Sequence, residues 1–244
     1  MTSGPAAFSV RRTSLMTRLM ASAVYRGIGL FYRASPREST LRWLLHFNKY
    51  VGLASWMVVC EHFSTDPERN DKLLRFTQEF MKSHIGPNDT VLDVGCHQGH
   101  LTRRIASLCS RVVGIDIDRA LLARARQLGT PANVEFRVQD VLALSGDEQF
   151  DVVWMHHVLE HIEDVPAVLS AVDRVSSRLL IEVPDIEQSW TQFLLRDLGG
   201  DYFSDATHVR EYDRSLLREH LHGAGWKIES LRQVSGVLQV VARR

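Results

Sequence analysis

From residue 89 onward, short apolar runs alternate with stretches of helical periodicity. Val91–Val94, Val112–Ile115, Val134–Val138, Phe150–Trp154 and Leu179–Val183 are runs of four or five residues rich in Val, Ile and Leu. They are too short for helices and read as buried strands. Between and after them, Leu101–Cys109, Ala120–Leu128, Val165–Val175 and Arg214–Ala224 space their apolar residues at helical intervals, and Trp226–Leu231 and Val237–Val241 close the chain as two further strands. Strand–helix alternation of this kind predicts an α/β, doubly wound, mainly parallel seven-stranded sheet with helices on both faces. Ligands of such sheets bind at the carboxyl ends of the strands.

Upstream, Leu73, Leu74, Phe76, Phe80 and Met81 predict a helix between Asn70 and His84 that leads into this domain, stopped by Gly86-Pro87-Asn88-Asp89. The chain therefore divides into a basic, helical N-terminal extension over 1–69 and a main domain over 70–244. Leu41 to Cys60 comes nearest to a membrane span, but Arg42, His46, Asn48 and Lys49 interrupt it, and it reads as a packed helix.

A length of 244 residues suits one α/β domain with an appendage, and 45% hydrophobic with 24% charged residues excludes a disordered or collagen-like chain. Lys+Arg 29 balances Asp+Glu 29, so no whole-molecule field draws the protein to nucleic acid. Cys60, Cys96 and Cys109 form no CxxC pair, which fits a reducing, cytoplasmic setting without disulfides. The extension departs from this neutrality. Arg11, Arg12, Arg18, Arg26, Arg33 and Arg37 precede the first acid, Glu38, and Leu15, Leu19, Met20, Leu30, Phe31 and Tyr32 lie among them. Three readings stand: a helix packing on the domain or on a second subunit, an amphipathic segment in peripheral contact with a membrane, and an organelle transit peptide. Arg18 and Arg26 break any signal-peptide core.

The densest chemical signal is Val91-Leu92-Asp93-Val94-Gly95-Cys96-His97-Gln98-Gly99-His100, a strand passing through a small-residue turn into a helix. Glycine permits the tight turn and leaves helix N-terminal N–H groups facing a ligand. Asp116 ends the next strand, where a carboxylate accepts both ribose hydroxyls, and Asp140 follows the third. A nicotinamide dinucleotide site, and hence an oxidoreductase, is the nearest competitor. The third glycine of its Gly-x-Gly-x-x-Gly loop is missing here.

Over about Asp89 to the C-terminus these motifs resemble the class I S-adenosylmethionine-dependent methyltransferases, whose fold is Rossmann-like. The segment Phe150 to Asp164, with Leu159-Glu160-His161, is similar to that family's fourth-strand motif. The resemblance implies a cofactor site for S-adenosylmethionine drawn from Asp93, Gly95, Cys96, His97, Gly99, Asp116, Ile117, Asp140, Val141 and His156. It also implies methyl transfer to an oxygen of a small metabolite, saccharide or quinone-like acceptor. One departure stands out: His97 occupies a position where the family usually has a second glycine. The ring either contacts the cofactor, points to solvent, or abolishes binding. In that last case the protein is a noncatalytic binding or scaffold module.

His157, Glu160 and His161 lie at i, i+3 and i+4, on one face if the stretch is helical. As a bare pattern this equals the His-x-x-Glu-His of one metalloprotease group, but the run follows a strand and belongs to the Leu-Glu-His motif. Some quinone-modifying O-methyltransferases that the chain resembles hold a divalent cation here, which implies Mg or Zn on this trio; the alternative is that Glu160 and His161 brace the turn. Transfer to a neutral acceptor needs a base, and histidine titrates near neutrality. His157 is the first candidate, then His161 and His208. Nucleic acid is disfavoured as a partner, since Met155-His156-His157-Val158 stands where base-modifying relatives carry an Asn/Asp-Pro-Pro-Tyr/Phe run. Pro184 to Ala206, with Trp190, Phe193, Leu194, Leu195, Tyr202 and Phe203, either roofs an acceptor pocket, packs on the core or meets a second subunit.

Overall fold

Alternation within each short strand sorts its side chains onto two cores. The computed structural model describes residues 23–24, 26–30, 33, 37–64 and 71–244. Its elements in chain order are α1 (Arg37–Ser64), α2 (Arg75–His84), β1 (Thr90–Val94), α3 (His100–Ala106), β2 (Arg111–Asp116), α4 (Arg119–Gln127), β3 (Val134–Val138), β4 (Val152–His156), α5 (Val165–Asp173), β5 (Arg178–Pro184), α6 (Trp190–Asp197), α7 (Arg214–Gly223), β6 (Lys227–Val234) and β7 (Val237–Arg243). Val91, Val112, Val152, Trp154 and Leu180 face Phe80 and Met81 of α2, Ile105 of α3 and Leu122 of α4. Leu92, Val113, Val153, Met155, Leu179 and Ile181 face Leu169 and Val172 of α5 and Leu217 and Leu221 of α7. Strands buried on both faces are the signature of a sheet covered by helices on each side.

The seven strands lie in the order β3-β2-β1-β4-β5-β7-β6. β1 pairs in parallel with both β2 and β4, so the order reverses between β1 and β4, the position where such sheets open a crevice at the strand ends. β7 runs antiparallel between β5 and β6. Its hairpin turns at Ser235 and Gly236, both at positive φ (49° and 89°), which matches the right-handed twist of the strands.

Three boundaries differ from expectation. β4 runs to His156 rather than stopping at Trp154, because His156 pairs in register with Glu182 of β5. The stretch after it is no α-helix but one 3-10 turn over Leu159–His161, entered through His157 at φ 53°. The aromatic insertion contains a helix, α6, capped by Ser189, whose hydroxyl accepts from the Gln192 amide.

The packed helix expected over Leu41 to Cys60 lies within α1. α1 docks on the insertion: Lys49 Nζ lies 2.7 Å from Asp201 Oδ2, and Asn48 Nδ2 donates to Thr191 Oγ1 at 2.9 Å. Leu45 and Lys49 are buried, while Trp43 and Phe47, stacked 5.5 Å apart, are exposed. None of the described helices is long and apolar enough to cross a membrane. The transit-peptide reading falls largely on residues 1–22, outside the described residues.

Candidate active site

The glycine-rich turn follows β1 because its backbone has nowhere else to go. Gly95 and Gly99 both sit at φ 70°, and a Cβ on Gly99 would stand 2.4 Å from the Phe136 ring, so that position admits only glycine. The Gly95 and Cys96 amides both donate to the Ile115 carbonyl, at 2.9 and 3.0 Å, and the Gly99 amide donates to Cys96 O at 2.8 Å. Most of the turn's own N–H groups are thus spent on its shape, whereas the first turn of α3 has no side-chain cap. His97 adopts φ 51°, and its amide donates to Asp116 Oδ2 at 2.9 Å. Asp116 Oδ1 accepts from the Asp118 amide, also at 2.9 Å. Two backbone donors therefore hold the strand-end carboxylate in place while it stays partly open to solvent.

Around this clamp a cavity of about 970 Å³ opens at the carboxyl ends of β1, β2, β3 and β4. Asp93, Gly95, Cys96, His97, Asp116, Ile117, Asp140, Val141, His156, His157 and His161 all line it. That volume lies at the upper end of small-molecule sites and coexists with the His97 ring, so the imidazole does not plug the hollow. The expected residues play unequal parts. Gly99 shapes the turn from behind. Asp93 is buried with its Oδ2 accepting from Thr102 Oγ1 at 2.6 Å, and burial, opposed by that hydroxyl, pushes its carboxyl up to about 7. Burial likewise raises the Cys96 thiol far above its ordinary range, which removes it as a nucleophile. Asp140 caps the short turn Val141–Ala143 by accepting from the Leu142 amide at 2.9 Å, leaving the apolar Ile117 and Leu142 exposed at the rim.

Two histidine–carboxylate groups form the far wall. Glu182, buried on β5, accepts from Thr77 Oγ1 and Gln239 Nε2, each at 2.7 Å, and lies 3.2 Å from His156 Nε2. Burial alone would raise the Glu182 carboxyl, but these donors outweigh it and hold it below its usual range. Burial lowers the His156 pKa, against the pull of Glu182, so His156 is a neutral ring donating Nε2–H. His157, its ring 4.3 Å from that of His156, reaches Glu160 Oε1 at 3.2 Å through Nδ1. Glu160 is fully buried, and neither of its oxygens has an aligned hydrogen-bond partner among the described residues. A buried carboxylate left in that state needs a positive charge to balance it.

The expected trio His157, Glu160 and His161 does not share one face, because a 3-10 turn with a left-handed entry replaces the helix that would align them. His161 instead turns toward Thr207 Oγ1 at 3.0 Å and meets the His208 ring edge-on at 4.7 Å. Donor atoms of Glu160, His161 and His208 fall within 4.8 Å of one another. His208 itself does not line the cavity. Its Nδ1 is held by Glu211 at 3.0 Å and by Ser204 at 3.1 Å, and although burial opposes it, Glu211 raises its pKa. His208, expected as a candidate base, thus stands behind His161 and not on the cavity wall. Leu74, Gln98, His100 and Gln139 line the cavity without having been singled out, and no sequence signal distinguishes them from ordinary loop and helix-end residues.

Comparison with known proteins agrees with this geometry. The "Methyltransferase domain" family model matches residues 92–178. Nodulation protein S of Sinorhizobium fredii is 32% identical over 47% of this chain and 51% of its own length. A ubiquinone biosynthesis O-methyltransferase of Rhodopseudomonas palustris is 28% identical over 55% of this chain and 57% of its own. The chain thus spans about half the length of these curated relatives. Among solved structures, the magnesium protoporphyrin IX methyltransferase of Synechocystis with bound SAH superposes with TM-score 0.58 at 19% identity, over 82% of this chain and 98% of that one. The matched model thus marks a methyltransferase domain over residues 92–178, and the sheet order is that of the Rossmann-like fold shared with that solved methyltransferase.

Proposed function

We propose that the protein is an S-adenosylmethionine-dependent methyltransferase acting on an oxygen of a small, neutral acceptor. The observation that carries this reading is the Asp116 carboxylate clamped by the His97 and Asp118 amides at the mouth of the 970 Å³ cavity. Asp116 keeps lone pairs free for the two ribose hydroxyls, and Asp140, with Ile117 and Val141, supplies a polar edge and apolar walls for the adenine. When bound, the cofactor supplies a methyl group on a sulfonium, a leaving group that needs no protein acid. The chain's task is then to hold the acceptor in line, exclude water and accept one proton.

His157 is the base in this reading: it lines the cavity, and because Nδ1 faces Glu160, Nε2 is the atom that takes the acceptor's hydroxyl proton. His156, fixed by Glu182, braces the adjoining wall. The quinone-type relative supports oxygen as the acceptor atom. A polymeric nucleic acid is disfavoured by the balanced charge.

A divalent cation fits the residues present. Beyond the His157 Nδ1 contact at 3.2 Å, the buried Glu160 carboxylate has no aligned hydrogen-bond donor among the described residues, and His208, its Nδ1 turned to Glu211, presents Nε2 on the other side, which is how ligating histidines are usually oriented. Glu160, His161 and His208 would hold the ion, which when bound lowers the pKa of a coordinated hydroxyl.

Incubating the protein with methyl-labelled S-adenosylmethionine and a fractionated cell extract is expected to place the label on oxygen in the low-mass fraction; label confined to protein or nucleic acid, or none, contradicts the proposal. His157→Asn should lower turnover by about 100-fold with cofactor affinity unchanged, read by kinetics beside equilibrium dialysis. An equal loss of both would make His157 a binding residue. Chelation with EDTA should reduce turnover, with recovery on adding Mg²⁺ or Zn²⁺, and His208→Ala should abolish that response. Turnover indifferent to chelation removes the cation.

A further inference from the structure

The loop that carries the histidine wall makes few hydrogen bonds of its own. His157, Val158 and each residue from His161 to Asp164 line the cavity. Within this stretch the backbone closes on itself through the His161 amide to Val158 O at 3.0 Å and the Ile162 amide to Leu159 O at 3.3 Å. His157 enters it at φ 53°, a left-handed conformation that persists only where the surroundings enforce it. A 3-10 turn as short as Leu159–His161 leaves its last carbonyls without helical partners.

Those carbonyls are met by one residue from beyond the insertion. The Arg210 amide donates to Glu160 O at 3.4 Å, beside the Val209 amide at 2.9 Å. Arg210 Nη1 donates to Leu159 O at 3.2 Å and to Ile162 O, and Nη2 donates to Glu163 O at 2.9 Å. Arg210 thus reaches the carbonyls of Leu159, Glu160, Ile162 and Glu163. Its own place is fixed, because Tyr212, two residues on, is fully buried, bridges to Asp185 at the end of β5 and accepts from the Ile186 amide at 2.9 Å. A planar guanidinium, with its donors in a rigid fork, can serve several carbonyls at once, whereas a lysine offers a single point charge. Arg210 does not itself line the cavity, and these hydrogen bonds all go to the loop and none to the turn after β1.

We propose that Arg210 is a positioning residue for the acceptor end of the cavity. It ties the loop to the end of β5 and so sets where His157 and the rim from His161 to Asp164 stand. That this end receives the acceptor rests on the methyltransferase reading above; that Arg210 orders the loop does not.

The test compares Arg210→Ala and Arg210→Lys with the native chain by amide hydrogen exchange, titration with S-adenosylhomocysteine, and methyl transfer to the low-mass fraction. In both variants exchange over residues 157–164 should quicken about tenfold, while that over residues 93–100 keeps its native rate. Affinity for S-adenosylhomocysteine should stay within about twofold, and turnover should fall by roughly 10- to 100-fold. Millimolar guanidinium chloride should slow the exchange of Arg210→Ala and restore part of its turnover; sodium chloride at the same concentration should do neither, and Arg210→Lys, its space filled, should not respond. If Arg210→Ala does not fold, Arg210→Lys against the native chain decides alone. A native protein that transfers no methyl group sinks the function proposed above and leaves exchange, with its guanidinium response, to decide on Arg210. Native exchange rates in both variants, cofactor affinity falling in step with turnover, or a guanidinium response matched by sodium chloride overturns the proposal.

Discussion

The candidate site depends on one carboxylate held by two backbone amides. Asp116 ends β2, and the His97 amide crosses from the turn after β1 to meet it at 2.9 Å while the Asp118 amide closes from its own side. Because the donors are main-chain groups, the contact fixes the relative position of two adjacent strand ends rather than of two side chains. It also explains how a histidine stands where a glycine is usual. His97 contributes its amide at φ 51°, a left-handed conformation that costs on the order of 1 kcal/mol for a non-glycine residue. The charged hydrogen bond offsets a cost of that size, and the ring stays at the rim of the cavity.

The strands and the strand-end edge of the candidate site were legible in the sequence because each follows from a local rule. Val91–Val94 and Leu179–Val183 announce buried strands by short apolar runs, and Gly95, Asp116 and Asp140 fall at strand ends where chain direction alone brings them together. What was not legible depends on contacts distant in sequence. That His156 belongs to β4 is decided by its pairing with Glu182. The split of the His157, Glu160 and His161 trio is decided by a 3-10 turn and by Thr207, 46 residues beyond His161. α6 was hidden because its apolar residues served equally for a loop roof, and α1 because hydrophobicity on both sides of a helix does not say which side is covered.

The far wall of the cavity shows how differently two neighbouring carboxylates can be used. Glu182 is satisfied by Thr77, Gln239 and His156, so it stays ionised in the interior and holds His156 as a neutral donor. Glu160, four residues beyond His156, is buried with no aligned donor. The first arrangement is a rigid support; the second is a buried carboxylate 3.2 Å from His157 Nδ1, with donor atoms of His161 and His208 within 4.8 Å.

Isothermal titration of S-adenosylhomocysteine into the native protein and into Asp116→Asn tests the central assignment most directly. Asparagine preserves the shape and one acceptor oxygen but removes the charge. The expected result is saturable one-site binding that weakens at least tenfold in the variant, a loss of about 1.4 kcal/mol, with the thermal midpoint of the unliganded protein little changed. Equal affinity in the two proteins, or no binding by the native chain, would contradict it.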